Sequence, residues 1–157
     1  MAVILDSLVA TQQFATRVAK KLRRGDVVLL RGTLGAGKTT LAQFIIRALS
    51  SPHMEVTSPT FTLLQTYPVI LAGEPCELWH YDLYRIEHPS ELIELAMDEA
   101  FEQGVSLIEW PERMGDALPP QAVTITLDFA PEGEGRLASI EAKGDAGARW
   151  RALNEQT

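Results

Sequence analysis

Apolar positions recur along the chain at two spacings, and the switches between them predict its elements. From Ser7, a good N-cap, the residues Phe14, Ala15, Val18, Ala19 and Leu22 fall on one face at helical spacing. Lys20, Lys21, Arg23 and Arg24 crowd the end of that helix, where cations suit its dipole, and Gly25 stands where a C-terminal glycine belongs. Val27-Val28-Leu29-Leu30 then reads as a strand buried on both faces. A glycine-rich turn follows, and Lys38–Leu49 predicts a second helix with Leu41, Phe44, Ile45, Ala48 and Leu49 inward.

Beyond residue 60 the period changes. Phe61–Tyr67 and Glu77–Tyr84 alternate as two strands, joined by a turn over Pro68–Pro75. Pro89 to about Gln103 predicts a helix, and Val105–Ile108 another buried strand ending at Glu109. Val123–Phe129 and Arg136–Ala142 predict a β-hairpin, and Ala148–Leu153 a short closing helix. Interleaved helices and strands give an α/β class, with a mixed central sheet (parallel core plus antiparallel strands) flanked by helices. No repeat or linker divides the 157 residues, so one domain is expected over 1–157.

Composition narrows the function classes. With 46% hydrophobic and 22% charged residues the chain is globular, not disordered or fibrous. A single cysteine, Cys76, excludes an internal disulfide and an all-cysteine metal site. Fourteen Lys and Arg against 21 Asp and Glu leave a net charge of −7, a poor basis for gripping nucleic acid, so any such role is indirect or confined to a local patch. No run approaches the ~18 apolar residues of a membrane span, and the N-terminal MAVILDSLVATQQF lacks a signal peptide's basic start and cleavage site. A soluble, cytoplasmic protein is expected.

The strongest chemical signal is Gly32-Thr-Leu-Gly-Ala-Gly37-Lys38-Thr39, which fits G-x-x-x-x-G-K-[ST] at every fixed position. Glycines let successive backbone N–H groups turn inward around phosphate oxygens, and the following helix aims its positive end at the same anion. Lys38 would reach the β- and γ-phosphates, and the Thr39 hydroxyl would ligate Mg²⁺. A buried strand before and an amphipathic helix after supply the context of a P-loop NTPase-like domain. The only asparagine is Asn154, so the Asn-Lys-x-Asp guanine signature is missing, as is Asp-x-x-Gly, and ATP is the expected nucleotide.

Two acids compete for the metal side. Glu109 ends an apolar strand at the carboxyl edge of the sheet, where ligands gather in such folds. Asp82 shares a strand face with His80 and would hold the metal, directly or through water, or orient the attacking water. His80 itself reads first as a packed, hydrogen-bonded histidine. Arg85 would either steady charge on the γ-phosphate or pair with a nearby acid. Thr57-Ser58-Pro59-Thr60-Phe61 reads as a γ-phosphate-sensing loop or as ordinary turn chemistry. Trp110 either stacks near the nucleotide or packs at the core's edge.

In order, Thr11, Gly32–Thr40, Ser58-Pro-Thr-Phe61, His80-Tyr-Asp82-Leu-Tyr84-Arg85 and Glu109-Trp110-Pro-Glu112 resemble the TsaE (YjeE) family of small P-loop ATPases of tRNA threonylcarbamoyladenosine biosynthesis. Thr33 departs from the pattern, where an acid is expected. The resemblance implies a bacterial cytoplasmic ATPase that works with TsaB and TsaD and meets tRNA indirectly, through that complex. It implies nucleotide contacts at Thr11, Gly35, Ala36, Gly37, Lys38, Thr39 and Thr40, with Arg136 reaching in from the C-terminal hairpin. It further implies Mg²⁺ on Thr39 and Glu109, and a need for Asp82 in hydrolysis. Two other classes compete: a small-metabolite kinase, whose arginine-bearing lid Arg47, Arg85 and Arg113 are too scattered to supply, and a nucleotide-dependent binding module with negligible turnover.

Overall fold

The computed structural model describes residues 2–131 and 135–154. The chain runs β1 (Ala2–Leu5), α1 (Leu8–Lys21), β2 (Val27–Gly32), α2 (Lys38–Leu49), β3 (Leu64–Leu71), β4 (Glu74–Asp82), α3 (Met97–Gln103), β5 (Val105–Glu109), β6 (Val123–Phe129), β7 (Arg136–Glu141) and α4 (Asp145–Asn154). Two 3₁₀ segments, Pro89–Leu95 and Pro111–Ala117, precede α3 and follow β5. The strands form one sheet in the order β1-β7-β6-β2-β5-β4-β3. β6, β2, β5 and β4 are mutually parallel, while the pairs β3–β4, β6–β7 and β1–β7 are antiparallel. The expected mixed α/β sheet is therefore present.

The period-2 alternation of β2 assigns its side chains to two cores. Val28 and Leu30 pack with Phe14, Leu41, Ile45 and Trp150 beneath α1, α2 and α4. Val27 and Leu29 face the other way, with Tyr81, Leu83, Leu92, Leu95 and Met114 under the 3₁₀ segments and α3. Being buried on both faces is what made this run read as continuously apolar. Ser7 caps α1 by accepting from Ala10 N at 3.0 Å, and the predicted face Phe14, Ala15, Val18, Ala19 and Leu22 is buried.

Several predicted boundaries move. The turn expected over Pro68–Pro75 shrinks to Ala72-Gly73, both at positive φ (50° and 82°), a two-residue hairpin loop matched to strand twist. Both prolines lie inside strands, Pro68 on the sheet's edge strand and Pro75 where β4 has not yet met β5, so neither breaks the β4–β5 ladder. The first strand of this pair starts at Leu64 because Leu63 adopts φ 66°. The second stops at Asp82, short of the predicted Tyr84. The helix expected over Pro89–Gln103 is broken at Ala96 (φ 54°), beside Leu95, whose carbonyl accepts the buried Tyr81 hydroxyl at 2.9 Å. In α2, Ala42 and Ile46 are buried instead of Ala48, which is exposed, and Phe44 is only partly covered. β1 was not foreseen, and α4 begins three residues before the expected Ala148.

Candidate functional site

The loop between β2 and α2 is folded by its glycines. Gly32 has φ 148°, and a Cβ there would lie 2.6 Å from the Leu127 carbonyl oxygen and 3.2 Å from Ala36 Cβ, so no side chain fits against β6. Gly37, at φ 101°, is the N-cap of α2 and offers no side chain to its first-turn N–H groups; that turn also holds no acid. Uncapped donors at a helix N-terminus behind a glycine turn suit an anion such as a phosphate.

Lys38 is the first residue of α2 and only 5% exposed. Its ammonium donates to the carbonyls of Gly32 and Thr33 (3.2 Å to the latter) and lies 3.8 Å from the centre of the Trp110 ring. Burial pushes its pKa below the ordinary lysine range, against the pull of Glu109, Glu112 and Asp82. Trp110 holds this position from a left-handed backbone (φ 57°) directly after β5, with its ring 4.9 Å from that of Tyr84. It is partly buried against the second core and faces Lys38, so packing and site contact coexist.

Glu109 ends β5 and is 2% exposed. One carboxylate oxygen accepts the Thr39 hydroxyl at 2.7 Å, and the other is 2.7 Å from Nε2 of the fully buried His80. With Nε2 donating to the carboxylate, Nδ1 has no partner among the described residues. Asp82 lies beside Glu109 in the β4–β5 register. Its carboxylate accepts from Tyr84 N at 3.0 Å and from the Thr60 hydroxyl at 3.2 Å, and Thr60 is 2.7 Å from the Ser58 hydroxyl. Burial pushes the Asp82 carboxyl above its ordinary pKa; Glu109 adds to the rise, while the hydrogen bonds and His80 oppose it. Thr39 and Glu109 form a hard-oxygen pair of the kind Mg²⁺ takes alongside phosphate oxygens. Among the described residues no three of His, Cys, Asp and Glu converge as a complete protein cage.

Two clefts meet at the loop. One, of about 340 Å³, is lined by Lys38, Thr39, Thr60, Asp82, Glu109 and Trp110 among others. The second, of about 270 Å³, lies on the other side, between Asp6, Ser7 and Thr11 of the N-terminal segment and Leu127 and Arg136. Gly35, Ala36, Gly37 and Thr40 border both clefts. Arg136 donates from Nε to Ala36 O (3.2 Å) and from an η-nitrogen to Gly35 O (3.4 Å), stacking on Phe129 at 4.3 Å. Thr11, whose hydroxyl donates to Ser7 O, faces the second cleft. Thr11, Gly35 to Thr40, Asp82, Glu109 and Arg136 thus all border one of two adjoining clefts.

Arg85 lines neither cleft: it is exposed, lies 4.3 Å over the Phe61 ring and makes none of the expected ion pairs among the described residues. Sequence reasoning did not commit to His80, Thr60 or Tyr84 as site residues. The i, i+2 spacing of His80 and Asp82 was the available signal, but only the β4–β5 pairing turns that face toward Glu109.

The model of the family described as threonylcarbamoyl adenosine biosynthesis protein TsaE matches residues 5–137. The tRNA threonylcarbamoyladenosine biosynthesis protein TsaE of Rickettsia felis is 39% identical over 137 residues, covering 87% of this chain and 77% of that one. The protein of the same name from Bacillus subtilis is 37% identical over 147 residues, covering 93% and 86%. The crystal structure of Bacillus subtilis YdiB superposes with a TM-score of 0.76 at 28% identity, over 99% of this chain and 94% of that one. Among the described residues no helix is long and apolar enough to cross a membrane. The family match spans the loop, both strand-end acids and the hairpin arginine, and the chain belongs to the TsaE family.

Proposed function

We propose that this chain is an ATP-binding and ATP-hydrolysing subunit of the machinery that makes threonylcarbamoyladenosine in tRNA, working in the cytoplasm with TsaB and TsaD. The observation that carries the reading is the convergence of an uncapped α2 N-terminus, Lys38, the Thr39–Glu109 pair and Asp82 on one cleft.

The chain's own groups divide the work. The N–H groups at the start of α2 and the Lys38 ammonium receive the phosphates, Lys38 exchanging its carbonyl partners and the Trp110 face for phosphate oxygens. Thr39 and Glu109 would hold Mg²⁺, which when bound neutralises charge on the phosphate oxygens. His80 fixes the rotamer of Glu109 through the oxygen that Thr39 leaves free. Asp82, raised in proton affinity by burial and steered by Tyr84 N and Thr60, orients the attacking water and accepts its proton. Thr60 ties the Ser58–Phe61 loop to that carboxylate, so loop position and hydrolysis are coupled.

The test is ATP turnover by the purified protein, alone and with TsaB and TsaD, with and without tRNA. Activation by the pair that disappears in Lys38→Ala supports the reading. Turnover indifferent to both partners refutes it and favours a small-metabolite kinase, for which a phosphoryl acceptor would be sought.

A further inference from the structure

The chain carries a net charge of −7, yet one groove of about 550 Å³ is lined by Lys20, Lys21, Arg23 and Arg149 and by no carboxylate. Its apolar walls include Leu22, Leu49, Leu71 and Ile70, the last 52% exposed. Arg149 is engaged: it grips Asp26 through two contacts of 2.7 and 3.0 Å and caps α1 at the Lys21 carbonyl. The side chains of Lys20, Lys21 and Arg23 have no ion-pair partner among the described residues.

Helix electrostatics explains only part of this cluster. Lys20 and Lys21 lie in the last turn of α1, where the dipole favours cations, but Arg23 lies beyond the helix. Crowding unpaired like charges costs stability through self-repulsion, so a cluster of this kind is held against a cost that a bound polyanion would reverse.

The groove's position separates it from the nucleotide clefts. Arg23 precedes the N-terminal end of β2, and Ala72 lies in the turn that feeds β4, which runs parallel to β5 and β2. The P-loop leaves the opposite end of β2, about 20 Å away along six residues of strand. No aromatic side chain lines the groove, so it offers no platform for base stacking.

We infer that this groove docks the sugar–phosphate backbone of a structured RNA through Lys20, Lys21 and Arg23, without base readout; preferring RNA to other polyanions rests on the function proposed above. Three neutralised phosphates predict a slope of log affinity against log salt of about −2.7, hence a loss of about 40-fold between about 50 and about 200 mM salt.

The experiment follows a fluorescently labelled tRNA transcript by anisotropy across that salt range, with the full-length protein. It compares wild type, the Lys20→Gln/Lys21→Gln/Arg23→Gln variant, the corresponding Glu variant and Lys38→Ala. The Gln variant is expected to flatten the slope by two to three units and weaken binding at least tenfold at the lowest salt. The Glu variant should bind less still, while Lys38→Ala binds as wild type and both groove variants keep basal ATP turnover. Failure of wild type to bind, or equal slopes in wild type and the Gln variant, overturns the inference. Competition by polyglutamate as effective as by unlabelled tRNA also overturns it, in favour of an acidic protein segment. ATP turnover that persists in Lys38→Ala, with tRNA binding intact, would count against the nucleotide reading alone.

Discussion

His80 offers the sharpest test of how the site is held. The ring is fully buried, and its Nε2 lies 2.7 Å from a Glu109 oxygen that is itself shielded from water. His80→Ala removes the donor and leaves a cavity beside a carboxylate that is 2% exposed. A hydrogen bond to a charged group contributes about 1.5–3 kcal/mol, and breaking a buried pair costs about 3–5 kcal/mol in all. His80→Gln keeps a terminal N–H₂ close to the position of Nε2, so it should recover about 1.5–3 kcal/mol of that loss.

Urea unfolding at constant m-value reads the difference directly; 2 kcal/mol moves the midpoint by about 1 M if m is about 2 kcal/mol/M. A second readout separates structure from positioning. Nucleotide affinity measured with Mg²⁺ and with EDTA should lose its Mg²⁺ dependence in His80→Ala and largely regain it in His80→Gln. If Ala and Gln unfold within about 0.5 kcal/mol of each other, and both keep wild-type Mg²⁺ dependence, the contact does not position Glu109 and the reasoning fails.

Lys38→Ala should weaken ATP binding by about 2–3 kcal/mol, some 30- to 150-fold, by isothermal titration, because a charge-assisted contact to phosphate is lost. Glu109→Ala should abolish the Mg²⁺ enhancement of binding while leaving Mg²⁺-free affinity near wild type. Gly32→Ala should cost well over 2 kcal/mol in chemical unfolding, because its Cβ meets Leu127 O at 2.6 Å, whereas Gly35→Ala, with open space around it, should cost only the left-handed penalty of about 1–2 kcal/mol. For Asp82 the native state holds its proton to a higher pH than the unfolded chain, whose carboxyl titrates near 3.8. Its contribution to stability is therefore present below that value and lost as pH rises through the folded pKa. Asp82→Asn should remove this dependence and raise the stability of the nucleotide-free protein at neutral pH while eliminating turnover; unfolding midpoints across a pH series check it.

Much of the site was readable because phosphate chemistry constrains local sequence. A glycine turn, a lysine and a hydroxyl must be contiguous to act on one anion, so Gly32–Thr39 announces itself without tertiary information. The acids were readable as candidates but not as a pair, since Asp82 and Glu109 become neighbours only through β4–β5 register. His80 looked like packing and does pack, yet the same buried ring holds the carboxylate. Boundaries failed where backbone conformation departs from residue habit. Leu63, Ala72, Ala96 and Trp110 all adopt positive φ, which propensity assigns to glycine and asparagine, so the hairpin turn and the helix break could not be foreseen. The charge of Arg85 suggests an acidic partner, but its guanidinium lies over the exposed Phe61 ring and makes no ion pair among the described residues.

The antiparallel additions explain why a short chain can build a two-sided candidate site around its glycine loop. The parallel strands β6, β2, β5 and β4 all end at one edge, and alone they supply only the loop, Glu109 and Asp82. In the β3–β4 hairpin, β3 leaves that edge at Leu64 and β4 returns to it at Asp82, so the segment before β3 lies at the edge and brings Thr60 to Asp82. On the opposite flank, β6 and β7 reverse at the same edge, placing Arg136 opposite Phe129 and against the carbonyls of Gly35 and Ala36. β1 then pairs with β7 so that Leu5 lies opposite Arg136, and the residues immediately after it, Asp6 and Ser7, line the second cleft. One antiparallel extension therefore walls the cleft that holds the acids, and the other walls the cleft that holds Thr11 and Arg136. Arg136 also ties down the loop by donating to the carbonyls of Gly35 and Ala36. Arg136→Ala should thus loosen the loop without touching Glu109, lowering nucleotide affinity equally with and without Mg²⁺. A selective loss of the Mg²⁺-dependent part would contradict this division of the two walls.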